Sequence, residues 1–216
     1  MKTTYTREKL PQSAFEEMIA KATLLEKDAF GPKVYNLVGD RILKLFRSKR
    51  LLSSNLFDPY AKRFARHSVR LKQCGIRTIQ VQQWGKIPHL KRHYVLYEKL
   101  AGSSLRESLD WKPNQLGGFF AALHHQGVYF RSCHLGNILW TPEQDFALID
   151  IADLHLRSRP LSEQERRRNF QHLIRVRKDR QQLAEHREAF VTGYQNESPE
   201  PMSEAFKAHL LSQLTS

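Results

Sequence analysis

The sequence predicts an α+β fold in two lobes, and three observations carry that reading. Residues 1–100 break into short apolar runs punctuated by Gly, Pro and Asp, the mark of strands and turns. Beyond residue 101 apolar side chains recur at helical spacing, as in Leu116, Phe119, Phe120 and Leu123 at i, i+3, i+4 and i+7. Between the halves lies Ala101-Gly102-Ser103-Ser104, a linker by composition. The expected division is therefore 1–100, a β-rich lobe with one helix, and 101–216, a mainly helical lobe carrying one hairpin.

In order along the chain, residues 23–46 read as three strands, T-L-L-E, K-V-Y-N-L-V and R-I-L-K-L-F. Asp28-Ala29-Phe30-Gly31-Pro32 separates the first two, and Gly39-Asp40 makes a hairpin turn between the second and third. Residues 59–73 read as a helix, with Pro59 in its first turn, Phe64, Val69 and Leu71 marking its apolar faces, and Gly75 stopping it. Two strands follow at 78–84 and 93–98, with Pro88 in the loop between them. In the second half a helix ends near Gly127, one or two basic helices span 161–190, and a last helix spans 202–214.

At 216 residues the chain is long enough to bury a sizeable core. Its first ten residues are polar and charged, without the apolar stretch of a secretory leader, and no apolar run approaches the ~20 residues of a membrane span. Cys74 and Cys133 could pair, but two cysteines make no disulfide framework, so a reduced, cytoplasmic setting is expected. The formal charge of +13 and pI near 9.9 set up a field that attracts polyanions, whether nucleic acid, anionic membrane surfaces or phosphorylated substrates. The cations cluster in runs at 41–50, 62–72 and 166–180.

Chemistry concentrates at 130–153, F-R-S-C-H-L-G-N-I-L-W, a turn, then F-A-L-I-D-I-A-D. Asn137 precedes one apolar strand, Thr141-Pro142-Glu143-Gln144-Asp145 forms the turn, and Asp150 ends the second strand. Two oxygen ligands at the mouth of a hairpin suit a hard cation such as Mg2+, which bridges substrate phosphates. Taken singly, Gly136-Asn137 is also ordinary turn chemistry and Asp150 an ordinary strand-end cap.

From about residue 23 to 180 the chain resembles the atypical, bacterial branch of the protein-kinase-like fold, in particular the lipopolysaccharide core kinases that phosphorylate heptose or Kdo sugars. The family pattern His-Gly-Asp-x-His-x-x-Asn becomes Phe-Arg-Ser-Cys-His-Leu-Gly-Asn here, so His134, Asn137 and the later Asp150 match. The resemblance implies a bilobal fold, Mg-ATP as cofactor, Asn137 and Asp150 as metal ligands, and Lys44 in R-I-L-K-L-F as the residue that pairs with nucleotide phosphates. It implies a hinge at Tyr97-Glu98-Lys99-Leu100, where backbone groups of Glu98 and Leu100 meet an adenine edge.

Three departures stand beside the match. Ser132 occupies the position of the catalytic aspartate, and a hydroxyl cannot accept the substrate proton near neutral pH. His134, two residues on, is the nearest titratable substitute. The helix at 59–75 holds no acid to steer Lys44; Asp58 just before it is out of place. The turn at 28–33 has one glycine where a protein kinase has a Gly-rich loop. Short relatives without the catalytic aspartate carry a toluene-tolerance label, which would imply an envelope role.

His124, His125, Cys133 and His134 lack the recurring spacing of a zinc site. Arg166-Arg167-Arg168 with Arg175, Arg177, Lys178 and Arg180 read as a basic helical surface with Phe170 and Leu173 as its buried side, able to grip phosphorylated sugar or anionic lipid headgroups. No base-reading motif or aromatic stacking pattern points to nucleic acid. Two function classes follow. One is a kinase transferring phosphate from Mg-ATP to an anionic envelope sugar or glycolipid, in the cytoplasm or at the inner face of the membrane. The other is a pseudokinase, a catalytically inactive binding or regulatory module.

Overall fold

A computed structural model describes residues 5–47, 58–108 and 110–215. The end of the first cationic run, 48–50, and the first four residues of the polar N-terminus lie outside these. The chain separates into two compact units, Met1–Leu100 and Ala101–Ser216.

The first unit contains β1 (Thr6–Lys9), α1 (Gln12–Ile19), β2 (Thr23–Asp28), β3 (Gly31–Leu37), β4 (Arg41–Arg47), α2 (Tyr60–Gln73), β5 (Val81–Ile87) and β6 (Arg92–Glu98). The strands form one six-stranded sheet in the order β1-β5-β6-β4-β3-β2. The three strands expected over 23–46 are present as an antiparallel meander. Its second turn needs left-handed backbone at both Gly39 (φ 80°) and Asp40 (φ 52°), which is why Gly-Asp marks it. Alternation along β4 sends Leu43 and Leu45 into the cluster that α1 closes with Phe15, and Ile42, Lys44 and Phe46 to the opposite face. There Phe46 meets Phe64 of α2 at 5.7 Å between ring centroids.

α2 starts after Pro59 and ends at Gly75 (φ 73°), where Ile76 N–H reaches back to the Leu71 carbonyl at 2.9 Å. The strand expected at 78–84 is displaced to Val81–Ile87. Gln80 Nε2 donates to the Thr78 carbonyl at 3.1 Å, a local bond outside the sheet, and the ladder begins only where Val81 faces Tyr97. β1 and α1 were not expected. All four residues of β1 are exposed, so it has no inward face to create an alternating pattern; it joins the sheet through its backbone, parallel to β5.

The second unit contains β7 (Ser103–Ser104), α3 (Pro113–His125), β8 (Val128–Phe130), β9 (Ile138–Trp140), β10 (Phe146–Leu148), β11 (Leu154–Leu156), α4 (Glu163–Leu173), α5 (Arg177–Ala184), α6 (Arg187–Glu197) and α7 (Glu204–Gln213). Phe120, Phe170, Phe190, Tyr194 and Phe206 pack ring against ring at its centre. α3 and α6 approach so closely that a Cβ on Gly193 would lie 1.9 Å from the Asn114 carbonyl oxygen. The linker expected at 101–104 is partly strand, since β7 pairs with β9.

Where one or two helices were expected over 161–190, three occur. α4 begins at a full capping box between Ser162 and Glu165. The breaks at 174–176 and 185–186 carry neither Gly nor Pro. Arg166, read as part of the solvated basic face, is a second correction. It is buried, donating to Tyr194 Oη at 3.3 Å and to the Pro201 carbonyl at 3.0 Å. Among the described residues no helix is long and apolar enough to cross a membrane.

Candidate functional site

The β9–β10 hairpin brings the two predicted oxygen ligands to one end. Ile138 faces Leu148, so Asn137 and Asp150 flank the last rung, and Ile149 N–H closes onto the Asn137 carbonyl at 3.0 Å. Asp150 adopts the left-handed conformation (φ 52°, ψ 46°). That backbone is uncommon outside glycine and is tolerated best by Asn and Asp. Such strain gathers at functional positions held by their surroundings.

The loop before the hairpin is fixed by its own carboxamide and by two helices. Asn137 Nδ2 donates to the Ser132 carbonyl at 2.9 Å, which commits the amide's donor end and leaves Oδ1, the end a cation takes, out of that bond. From α4, the fully buried Asn169 grips Phe130 at both backbone groups. Its Nδ2 donates to the Phe130 carbonyl at 2.8 Å and its Oδ1 accepts the Phe130 N–H at 3.4 Å. From α5, the fully buried Asp179 accepts the Leu135 N–H at 2.8 Å. The same carboxylate takes Arg106 Nε at 2.5 Å and Nη2 at 3.0 Å. Hydrogen bonding to Asp179 raises the Arg106 pKa above its ordinary value, against the effect of burial.

Ser132, His134, Asn137 and Asp150 line one cleft of about 410 Å³. Its other walls include Arg131, Asp153, His172 and Arg175. Burial first, and then the Arg106 charge, hold His134 below the usual histidine pKa. His172 is lowered by burial and then by Arg131 and Arg175, while its Nε2 lies 3.0 Å from Tyr129 Oη. Cys133 is a free, buried thiol, its pKa pushed far up by burial.

Two of the histidines weighed as zinc ligands, His124 and His125, have other partners. His124 lies 2.9 Å from Tyr194 Oη through Nδ1 and 3.2 Å from Asn169 Oδ1 through Nε2, and burial lowers its pKa to about 3. Asn169 Oδ1 can only accept, since its Nδ2 serves Phe130, so His124 Nε2 carries the proton and Nδ1 accepts from Tyr194. His125 pairs with Glu200 at 2.8 Å. Among the described residues no group of three or more His, Cys, Asp or Glu is arranged to hold a metal.

In the first unit Lys44 lies at the centre of β4, opposite Val34 and Val95, and is almost fully buried. Its Nζ stands 5.8 Å from the Phe64 ring centroid and 5.9 Å from that of Phe46. Within this unit α2 thus offers Lys44 an aromatic face where the resemblance calls for an acid. Asp58 turns both oxygens to Arg66, at 3.1 and 2.9 Å. At the expected hinge Glu98 ends β6 and accepts from Gln82 at 2.9 Å, Lys99 N–H binds the Asp40 carbonyl at 2.7 Å, and Leu100 closes the unit.

Reading the sequence missed Arg106, Asn169 and Asp179 as supports of this loop. One signal was present: Asp179 is the single acid in the cationic run 166–180.

Residues 85–194, just over half of the chain and all of the loop, hairpin and cleft, match the model of the lipopolysaccharide kinase (Kdo/WaaP) family. The chain belongs to that family. A solved structure similar to this lipopolysaccharide kinase family member is that of the bifunctional kinase-methyltransferase WbdD, with a TM-score of 0.52 and 16% identity, covering 87% of this chain and 48% of WbdD. That likeness shows a shared fold, and the chain spans about half of WbdD's length. A 2.2 Å structure of WbdD gives a TM-score of 0.49 at 15% identity, over 85% of this chain and 48% of that one. No curated protein matches the sequence.

Proposed function

We propose that this lipopolysaccharide kinase family member binds Mg-ATP and transfers phosphate to an anionic sugar or glycolipid of the envelope. The observation that carries the reading is the meeting of Asn137 and Asp150 at one end of the hairpin, on a cleft that also holds His134 and Ser132. The donor set fits magnesium: both offer oxygen, and Asn137 has its nitrogen committed elsewhere. When bound, the cation would neutralise charge developing on the transferred phosphoryl group. Lys44 would pair with nucleotide phosphates, and backbone groups of Glu98 and Leu100 would take the adenine edge. Ser132 lies in the loop that would receive the acceptor but cannot serve as the base. His134, held neutral by burial and by Arg106, keeps a lone pair with which to accept the hydroxyl proton. The exposed Arg177 and Lys178 suit an anionic membrane surface, which would put the work at the cytoplasmic face.

Ser132 and the acid-free α2 favour a second reading, a pseudokinase that binds nucleotide and a partner without turnover. Calorimetric titration of Mg-ATP into wild type and Asp150→Ala, with and without magnesium, tests the shared premise. An Asp150→Asn control keeps a residue at home in left-handed backbone. Magnesium-dependent binding that Asp150→Ala loses is expected. Folded wild type that ignores Mg-ATP would sink both nucleotide readings.

A further inference from the structure

The cleft that holds Asn137 and Asp150 is also lined by Arg131, His172 and Arg175, with the Asp153 carboxylate beside Arg131. Arg131 and Arg175 both depress the His172 pKa and Asp153 raises it, so His172 lies within electrostatic reach of two cations and one carboxylate. Backbone bonds fix both arginines: Arg131 N–H meets the Asp153 carbonyl at 3.3 Å, and Arg175 N–H the His172 carbonyl at 3.4 Å. The Arg131 guanidinium is 3.9 Å from Asp153 and more than half exposed, a pairing too loose and too wet to tie it down. Two departures from the family pattern line this cleft. Arg131 and Ser132 stand where the pattern has Gly and Asp, so a positive charge is added and a negative one removed at adjacent positions.

We propose that Arg131, His172 and Arg175 form an anion subsite that takes a phosphate or carboxylate group of the acceptor. The assignment rests on the reading of Asn137 and Asp150 as the metal ligands. Two guanidiniums present forked donors that match a tetrahedral or planar oxyanion. With Ser132 in place of a carboxylate, the anion meets no like charge from that position. The acceptor is thereby a sugar already carrying a negative group, and the loss of the aspartate and the gain of an anion subsite are two sides of one change.

Titration of inorganic phosphate without magnesium or nucleotide, followed by the arginine Nε–H resonances, tests this directly. Wild type is expected to bind phosphate with shifts at Arg131 and Arg175. Arg131→Ala and Arg175→Ala, both at exposed side chains, should each weaken binding by about tenfold, the worth of one charge-assisted hydrogen bond. Ser132→Asp should weaken it as well. Equal binding by the arginine variants, or none by wild type, overturns the subsite. Saturation with magnesium and a non-hydrolysable ATP analogue separates the two sources of phosphate. If the analogue expels inorganic phosphate, the arginines serve the nucleotide and the acceptor subsite is refuted; binding beside the analogue supports it. Phosphate binding by a protein that ignores Mg-ATP would leave an anion site but overturn its assignment to the acceptor of a phosphoryl transfer.

Discussion

Replacing Asp179 by alanine should unfold the second unit more readily than any change at the cleft surface. The carboxylate is fully buried and accepts three hydrogen bonds, two from Arg106 and one from the Leu135 N–H. Removing one partner of a buried ion pair costs about 3–5 kcal/mol. Arg106 keeps 30% of its side chain in solvent, so water recovers part of its charge and the pair falls to the lower figure. The orphaned Leu135 N–H adds about 1–3 kcal/mol. A total of about 4 kcal/mol lowers Tm by roughly 8–16 °C for a chain of this size. Thermal unfolding of Asp179→Ala, Arg106→Ala and the double variant measures it, and the double should recover more than about 1 kcal/mol of the summed losses. A single-variant loss under about 1 kcal/mol, or strict additivity, would refute the reasoning.

Three further outcomes are expected. His124 has a folded pKa of about 3 against about 6.5 unfolded, so its contribution is complete above pH 6.5 and is lost as pH falls toward 3, with a slope of at most about 1.4 kcal/mol per pH unit. Tm against pH for His124→Gln should therefore be flatter than wild type between pH 6 and pH 4, and parallel curves would disprove the buried neutral imidazole. Gly193→Ala drives a Cβ into the Asn114 carbonyl and should cost more than about 2 kcal/mol in urea unfolding, and more than Gly118→Ala, whose Cβ meets side-chain atoms of Glu197 rather than backbone at close range; equal costs would refute the backbone clash. Lys44→Met should cut Mg-ATP affinity at least ~10-fold by calorimetry; unchanged affinity would remove Lys44 from the phosphate site.

The parts of the fold visible in the sequence are those with apolar runs between clear turn residues. α2 and α3 repeat their apolar residues at helical spacing, and the meander over 23–47 shows through its apolar runs and through Gly39-Asp40, which like Gly75 needs left-handed backbone, although its first strand is exposed throughout. β1 was illegible because Thr6-Arg7-Glu8-Lys9 is polar as well as exposed, which leaves only backbone pairing to define it. The breaks around α5 were illegible because no Gly or Pro marks them, and Asp179 gains meaning only once Arg106 and Leu135 surround it. Asn137 and Asp150 were legible since a two-residue mouth on a short hairpin is local geometry. Asn169 was not, because its partners lie 39 residues away.

Asn169 and Asp179 also bear on how such a protein can change. Both hold the loop through main-chain groups, of Phe130 and Leu135, and the loop's own tie from Asn137 ends on the Ser132 carbonyl. The scaffold is thus indifferent to which side chains project from 131, 132 and 134. Arginine and serine can enter there while the curve of the chain is dictated from α4 and α5. Chemistry at this cleft can drift, or be redesigned, without renegotiating the architecture that presents it, and the lasting imprint of the family here is a path of backbone rather than a string of letters.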